Sequence, residues 1–586
     1  MRRLFGEITT PRYALITHAH PCWLMALRTL LIALMMLPGA TTFAEDAEKS
    51  AASTGEVKAQ VQREGRQSGL YSVEHDLTVR LRPELLSDGD LGSAASPIPR
   101  ALNAKDGETS LLSWASMRVR YGATLHLGQR FRLRVSMDAL ENVVLGSTPA
   151  GAAESFETGL FEDGQGSPTT GINAFEDALL IREAFGSWNF LGLIDMDFGR
   201  MRDHFGSGLI RHRGDCRDCD RGTVVDGLRL GLDLFGVRAE GSVEFTDVGA
   251  LDADTGWDGQ TKDLGVDDNT VTYTLRVLSG KSGSLSQRQR EAFADHSKDM
   301  SIDWGVFFSF TEQEFSTENQ SGGLLPSQCT QGAAATSDQL SWDCWQLKPR
   351  QLFIWKPSVW AKLDWRPDFR SHLRVELELA GQFGDVVFLQ GDPELGDTSK
   401  DFAGFAGALD LTYQQGALSA GLSSGFASGD DRQYLGYQDG QNIVDHDDAN
   451  YEANDNVRTN ATVDSFWFNT DYKVDLLLFR QIIGGVTNAY YVKPWVAYSL
   501  FDTDAMKLKA RLDVAYAGAM DSAGTPGKGE HWGVELDAGL QLTLPEGFEV
   551  ALDAGVLFPM DALNDPITGQ EPSMSFGLRT LLIWRL

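Results

Sequence analysis

Residues 548–558 read FEVALDAGVLF, and apolar side chains occupy every second position of this stretch. Phe548 and Val550 begin the apolar face, whereas Glu549 and Asp553 lie on the opposite face. A helix repeats its apolar residues every three or four positions, so this alternation predicts a β-strand with one apolar and one polar face. The same period occurs in residues 369–385, 505–517 and 532–544.

The period continues through most of the chain, and we predict eighteen strands. They span residues 70–86, 111–127, 129–144, 177–187, 191–202, 224–234, 236–246, 270–279, 301–315, 351–365, 369–385, 402–414, 417–428, 488–501, 505–517, 531–544, 548–560 and 573–586. Short turns alternate with long polar loops, and aromatic residues cluster beside the short turns. These features predict an all-β fold, a transmembrane antiparallel β-barrel of about 18 strands with short periplasmic turns and long extracellular loops.

Two regions complicate the strand count. Residues 280–300 are long where an even count requires a short turn. Residues 463–486 resemble a nineteenth strand, but we predict a short helix over 475–485, with Asp475 as its N-cap and Gly484 at its end. The whole stretch 429–487 is then one long loop. That loop either packs outside the barrel or folds into the lumen as a constriction.

The N-terminal region predicts export. Arg28 precedes an apolar core from Thr29 to Leu37, which small residues follow, as in a secretory signal peptide. We expect a signal peptide over 1–44, with Met25 as an alternative start, because the apolar core is too short for an anchor helix. A flexible periplasmic leader over 45–68 and a barrel over 69–586 follow. This organisation predicts the outer membrane of a Gram-negative cell, with lipid and lipopolysaccharide as partners.

Composition and motifs exclude several function classes. The chain of 586 residues carries a formal charge of −31, which repels nucleic acid. Its 14 Trp, 31 Phe and 13 Tyr argue against general disorder. The sequence holds no G-x-S-x-G, H-E-x-x-H, P-loop or dinucleotide motif, so we expect no enzyme and no cofactor apart from a possible structural Ca²⁺.

Cysteines and aspartates concentrate in one loop. Cys216 and Cys219 lie close together, as do Cys329 and Cys344, and an even count in an exported protein predicts disulfides. Three pairings are possible, of which two local pairs are the simplest. The same loop carries Asp215, Asp218, Asp220 and Asp226, a candidate Ca²⁺ site. The alternative is a disulfide-pinned loop whose carboxylates are solvated.

The polar strand faces carry charged residues two positions apart, so that each pair shares a face. The candidate pore-lining residues are Arg80, Arg82, Arg118, Arg120, Arg132, Arg134, Glu376, Glu378, Lys507, Lys509, Arg511, Glu535, Asp537 and Asp553. They form either a charged path that selects solutes or a salt-bridged wall, and both interpretations are compatible. If the register of one strand were inverted, its arginines would face lipid, which costs roughly 2–4 kcal/mol per charge near the midplane.

Two stretches resemble a known family. Residues 199–226, with His204-Phe205-Gly206 ahead of the Cys/Asp cluster, and residues 475–494 are similar to an uncharacterised family of myxobacterial (deltaproteobacterial) outer-membrane proteins. That family resembles porin or exopolysaccharide-export barrels, and it brings no established substrate. The resemblance therefore implies a barrel in the outer membrane rather than a particular solute.

These observations predict a porin-like outer-membrane channel for passive or selective passage of a small or charged solute or saccharide. The alternative is a closed barrel that acts as a surface scaffold or adhesion protein through its acidic, disulfide-bearing loops. An enzyme is the third interpretation.

Overall fold

The computed structural model describes most of the chain beyond residue 70. The described ranges are 71–92, 111–144, 179–247, 254–255, 261–262, 270–279, 300–319, 345–388, 398–431 and 462–586, except for positions 129, 191–193, 221, 235, 369 and 567. The predicted signal peptide and leader, residues 280–299 and the Cys329 and Cys344 pair lie outside the described residues.

Eighteen long strands, which we number in chain order, form the wall of the barrel. They are β1 Tyr71–Ser87, β2 Leu111–Leu127, β3 Phe131–Val144, β4 Leu179–Phe190, β5 Ile194–Asp203, β6 Thr223–Leu234, β7 Val237–Asp247, β8 Thr270–Ser279, β9 Met300–Asn319, β10 Trp345–Asp368, β11 Ser371–Phe388, β12 Thr398–Gln415, β13 Leu418–Ala427, β14 Ala489–Asp502, β15 Lys507–Gly518, β16 His531–Thr543, β17 Phe548–Pro559 and β18 Ser575–Arg585. The predicted strand count is confirmed, and each predicted range overlaps an observed strand, although the ends differ by up to six residues, as at Trp345 against the predicted 351.

Each strand pairs antiparallel with the next along the chain, and the last pairs with the first. In the closing pair, Arg80 of β1 lies opposite Ile583 of β18, and Leu85 lies opposite Leu578. This closure leaves no free sheet edge, which is the condition for a sheet that crosses a membrane.

The remaining regular elements are short. Asp254–Thr255 pairs with Thr261–Lys262, and Thr462–Val463 pairs in parallel with Asp401 and Phe402 of β12. A 3₁₀ turn spans Asp561–Leu563. Among the described residues, the stretch 463–486 adds no strand to the barrel wall.

The outer wall is apolar and the inner wall is polar. In β17, Leu552 is 41% exposed, whereas Ala551 and Glu549 are buried inside. Exposed aromatic side chains such as Trp365 and Tyr413 lie at the ends of strands beside the short turns. An apolar outer belt flanked by aromatics is the surface that a barrel presents to lipid. The protein is an outer-membrane β-barrel.

No helix in the described part of the chain is long and apolar enough to cross a membrane.

The apolar core lies inside the barrel rather than between layers of sheet. Its centre is a run from Leu476 to Phe479, together with Ile482 and Ile483, all of them buried. These residues belong to the long loop between β13 and β14, so the described part of that loop folds inward.

The predicted helix over 475–485 is wrong in length and type. The structure has one π-helical turn, Leu478–Ile482, with Leu477 rather than Asp475 at the N-cap position. The reason is a contact that sequence spacing does not reveal. A carboxylate of the barrel wall, Glu535, binds the backbone N–H groups just before the turn.

Candidate functional site: a layer of two loops across the lumen

Two chain segments leave the wall and enter the lumen. The 204–222 loop connects β5 to β6, and the 464–488 segment precedes β14. Leu209 and Cys219 in the first, and Leu477 in the second, are almost fully buried. We call these two segments together the two-loop layer.

The 204–222 loop reaches the far wall of the barrel near its beginning. Phe205 packs on Phe307 of β9, with the ring centroids 5.2 Å apart. Glu378 of β11 accepts hydrogen bonds from the Ser207 backbone N–H at 2.8 Å and from the Ser207 hydroxyl at 2.7 Å. Glu378, a candidate pore-lining residue, therefore holds the loop across the lumen.

The end of the same loop lies against the arginine-rich wall of β1 and β2. The Cys219 carbonyl accepts from Arg80 Nη1 at 2.7 Å and from Arg118 Nη1 at 3.0 Å. Arg120 binds Asp138 of β3 and the Gly214 carbonyl. Arg80 and Arg118 are only 1% and 4% exposed. Both side chains face the lumen but lie beneath the loop.

Asp218 joins three parts of the molecule. Its carboxylate accepts from Arg82 of β1 at 3.3 Å, and it also binds Arg480 of the 464–488 segment and Arg579 of β18. Burial by itself would raise the pKa of Asp218, but these guanidinium groups hold it well below its usual range. The carboxylate thus remains charged and links both segments to the wall.

The two segments also bind each other directly. The Asp471 carboxylate accepts from the backbone N–H groups of Asp220, at 2.8 Å, and of Gly222. The Asn469 backbone N–H donates to the Leu209 carbonyl at 2.8 Å. The two-loop layer is therefore one connected structure rather than two independent loops.

The 464–488 segment lies against a carboxylate-bearing part of the wall, three strands from β1 around the barrel. Glu535 of β16 accepts from the backbone N–H groups of Leu476, Leu477 and Leu478, at 2.9, 2.8 and 2.8 Å. Asp475 accepts from the Phe479 N–H at 3.0 Å. Four consecutive backbone N–H groups are satisfied in this way, as unpaired donors in a buried turn require.

Glycines in the wall make room for the apolar side chains of the segment. A Cβ atom on Gly577 of β18 would lie 2.5 Å from Leu477 Cδ2. A Cβ atom on Gly555 of β17 would lie 3.1 Å from Leu476 Cδ2. The leucines thus pack directly against the backbone of the wall.

The predicted local disulfide between Cys216 and Cys219 is present. Cys219 Sγ lies 3.8 Å from His212 Nδ1, and the His212 and His204 rings lie 5.5 Å apart. Burial, with the neighbouring His212, lowers the pKa of His204 to about 4, so this imidazole is neutral at physiological pH.

The four aspartates of the candidate Ca²⁺ site are not brought together. Asp215 pairs with Arg202 and Arg213, Asp220 with Arg80 and Arg82, and Asp226 with Arg200, while Asp218 binds the three arginines given above. Within the described ranges, no cluster of three or more His, Cys, Asp or Glu is placed to hold a metal ion. The positive charge beside these carboxylates comes from arginine side chains rather than from a metal ion.

The other candidate pore-lining residues lie around and below the layer, toward the short turns. Arg134 pairs with Glu183 and Asp76, Glu376 accepts from Trp360, and Arg132 faces the Phe185 ring. Asp553 pairs with Arg579, and Asp537 follows Glu535 on the lumen face of β16. Lys507 pairs with Asp502, Lys509 faces the same side, and Arg511 stacks on Trp495 at 4.2 Å.

Sequence reasoning missed three residues that hold the layer: Asp471, Arg480 and Arg579. Arg480 lies in the apolar stretch DLLLFRQIIGG, and a lone arginine in such a stretch is a signal of a buried ion pair. Its partner Asp218 is 262 positions away. The alternation pattern carries no information about such a partner.

Comparison with solved structures finds β-barrels of Pseudomonas aeruginosa. OccK8 (OprE) shares 8% identity over 88% of this chain and 98% of that chain, with a TM-score of 0.43. OpdK with vanillate shares 10% over 88% and 98%, with a TM-score of 0.42. OccK2 (OpdF) in complex with glucuronate shares 9% over 88% and 98%, with a TM-score of 0.37.

Searches against protein families and against curated proteins find no match. The comparisons support neither a myxobacterial origin nor a link to exopolysaccharide export. These two parts of the resemblance stay predictions.

Proposed function

We propose that the protein is an outer-membrane channel for small or charged solutes, and that the two-loop layer narrows its lumen. One observation carries this proposal: below the layer, the inner wall exposes charges of both signs. Arg374 is 48% exposed, Arg511 is 39% exposed and Asp76 is 51% exposed. Exposed charges on an inward face require water inside the barrel.

A barrel of this size supports such a space. Eighteen strands leave an aqueous channel unless loops or side chains fill it. Here, Arg80, Arg82, Arg118 and Arg120 bind the 204–222 loop and are less than a tenth exposed. We therefore assign these four residues to anchoring the layer. Selection by charge falls to the more exposed residues below it, Lys507, Lys509 and Arg511 among them.

One observation favours a second function, the closed surface scaffold: the two-loop layer contacts strands on several sides of the barrel. It contacts the wall on several sides, through Arg80 of β1, Phe307 of β9, Glu378 of β11, Glu535 of β16 and Arg579 of β18. A layer held this widely blocks solutes if no water path passes through it.

Single-channel recording separates the two functions. The refolded mature chain in a planar bilayer is expected to give discrete open steps. In a salt gradient, Arg511→Gln is expected to shift the reversal potential toward cation selectivity, and Asp76→Asn toward anion selectivity. Folded protein without any open step would contradict the channel and support the scaffold.

A further inference from the structure

The contact between the 464–488 segment and β16 brings acidic groups together. Glu535 and Asp475 bind four consecutive backbone N–H groups, so their carboxylates approach the same turn. Asp537 lies beside them, since one Cβ position on Gly555 would be 2.5 Å from Asp537 Oδ1 and 3.1 Å from Leu476 Cδ2. Glu535 and Asp475 are both less than a tenth exposed.

The positive charge that faces this cluster is shared. Lys493 of β14 donates to the Val474 carbonyl and lies 3.5 Å from Asp513 of β15. Arg579 of β18 already binds Asp218 and Asp553. The charged and titratable groups that face Asp475 from the packed elements are Tyr491, Lys493, Glu535 and Asp537, and Asp537 in turn faces Asp513 and Arg579.

We propose that this carboxyl cluster is a proton-dependent latch, which holds the 464–488 segment in the lumen when Asp475 is protonated and releases it when Asp475 ionises. The inference rests on the proposed function for its consequence, a wider channel at higher pH. The latch itself is a property of the segment and the wall. It does not require that any solute pass.

The physical reason is repulsion between like charges in a buried place. The Glu535 carboxylate already occupies three of the backbone donors. Asp475 is left with the backbone N–H groups of Phe479 and Arg480, and a negative charge on it lies close to Asp537. Burial first, and the Asp537 carboxylate second, raise the pKa of Asp475 to about 7 from the ordinary 3.8.

The raised pKa of Asp475 determines whether docking of the segment becomes stronger or weaker as the pH rises. A carboxyl group with a raised pKa in the docked state favours docking while it is protonated. Its contribution is complete below its ordinary pKa of 3.8 and is lost as the pH rises through about 7. Between pH 5 and pH 8, docking of the segment is expected to weaken by about tenfold or more.

Hydrogen–deuterium exchange of the refolded full-length mature chain tests the latch directly. Peptides that cover residues 474–483 are compared at pH 5 and pH 8, with intrinsic rates corrected. The 204–222 loop serves as the internal reference because its carboxylates are paired with arginines, and the lowered pKa of its buried His204 raises its protection from pH 5 to pH 8 rather than lowering it. Protection of the segment is expected to fall about tenfold or more relative to that loop.

Asp475→Asn cannot ionise, so its segment is expected to keep its protection at pH 8. Glu378→Gln, which alters only the other loop's anchor, is expected to retain the wild-type pH dependence. Equal protection of the wild-type segment at both pH values would overturn the proposal, and this comparison needs no variant. A pH-dependent exchange in a barrel without conductance would leave the latch standing and remove the channel.

Discussion

The two loop–wall contacts of this barrel use opposite electrostatics. The 204–222 loop meets a wall of arginines and brings its own carboxylates, so each charge finds a partner of opposite sign, as at Asp218. The 464–488 segment meets a wall of carboxylates and brings backbone N–H groups and a further carboxyl, Asp475. The first contact is a salt-bridge network, and the second is a turn bound to a buried carboxyl group.

The two contacts differ in whether the pH of the solution changes their strength. A buried ion pair is costly to break, because each partner left behind is an unpaired buried charge. Like charges beside one turn are held together only while a proton is shared between them. The arginine-faced contact is therefore the stable part of the two-loop layer, and the carboxylate-faced contact is the part that solution conditions control.

The largest effect is expected for Asp218→Asn. The variant removes the charge that Arg82, Arg480 and Arg579 share, at about 3–5 kcal/mol for a broken buried ion pair. The measurement is urea or thermal unfolding of the refolded barrel. Asp226→Asn is the matched control, because its pair with Arg200 is nearly half exposed and contributes about 1 kcal/mol at most. Equal destabilisation of the two variants would contradict the arginine-faced network.

A smaller effect is expected for Glu535→Gln. The variant keeps the side-chain volume but replaces one of the two oxygens that accept three backbone hydrogen bonds by an amide NH₂, and a buried N–H left without an acceptor costs about 1–3 kcal/mol. Exchange of the 464–488 segment is expected to speed up while the 204–222 loop is unchanged. Glu549→Gln, another lumen carboxylate on the neighbouring strand, is the control and should leave the segment as it is.

A third effect concerns the disulfide. For so short a closed loop, the chain-entropy relation gives about 2 kcal/mol at most for the Cys216–Cys219 bond. The double variant Cys216→Ser/Cys219→Ser is expected to lower the protection of the 204–222 loop less than Asp218→Asn does. Added dithiothreitol should cause no further change in that loop of the variant. A greater loss than for Asp218→Asn would mean that covalent closure, rather than ion pairing, holds the loop.

The smallest effect between pH 5 and pH 8 is expected for the ion pairs of the arginine-faced contact. Burial tends to raise the pKa of Asp220, but Arg82 and Arg80 lower it to about 2, from the ordinary 3.8. A depressed pKa contributes stability that is present above 3.8 and is lost only as the pH falls through about 2. Exchange of the 204–222 loop, corrected for intrinsic rate, should therefore not become faster from pH 5 to pH 8, and the lowered pKa of the buried His204, about 4, favours slower exchange at pH 8. Faster exchange of that loop at pH 8 than at pH 5 would remove the contrast between the two contacts.

The barrel was predictable from sequence because its rule is local. Alternation at Phe548, Val550 and Leu552 fixes which face meets lipid, and this period repeats strand after strand. Closure then follows from the need to satisfy every strand edge. For the same reason, the sequence predicts that arginine pairs such as Arg80 and Arg82 lie on the lumen face of their strand.

The interior was not predictable, because its contacts are distant in sequence. Asp218 binds Arg579 across 361 positions, and no local pattern connects them. The helix predicted over 475–485 failed because Glu535, 57 positions beyond Leu478, binds the N–H groups that an ordinary helix start would leave to a local cap. The conformation of a lumen loop thus depends on the wall residues that it contacts.

The central claim, that the two-loop layer narrows an otherwise open lumen, is tested most directly by the single-channel conductance of two chains. One is the mature wild-type chain, and the other has residues 470–486 replaced by a short Gly/Ser linker. The linker removes Asp475, Arg480 and the apolar run that packs inside the barrel, while β14 and β16 are unchanged. We predict a severalfold higher conductance for the linker chain at pH 5. Equal conductance of two folded chains, or silence of both, would contradict the claim.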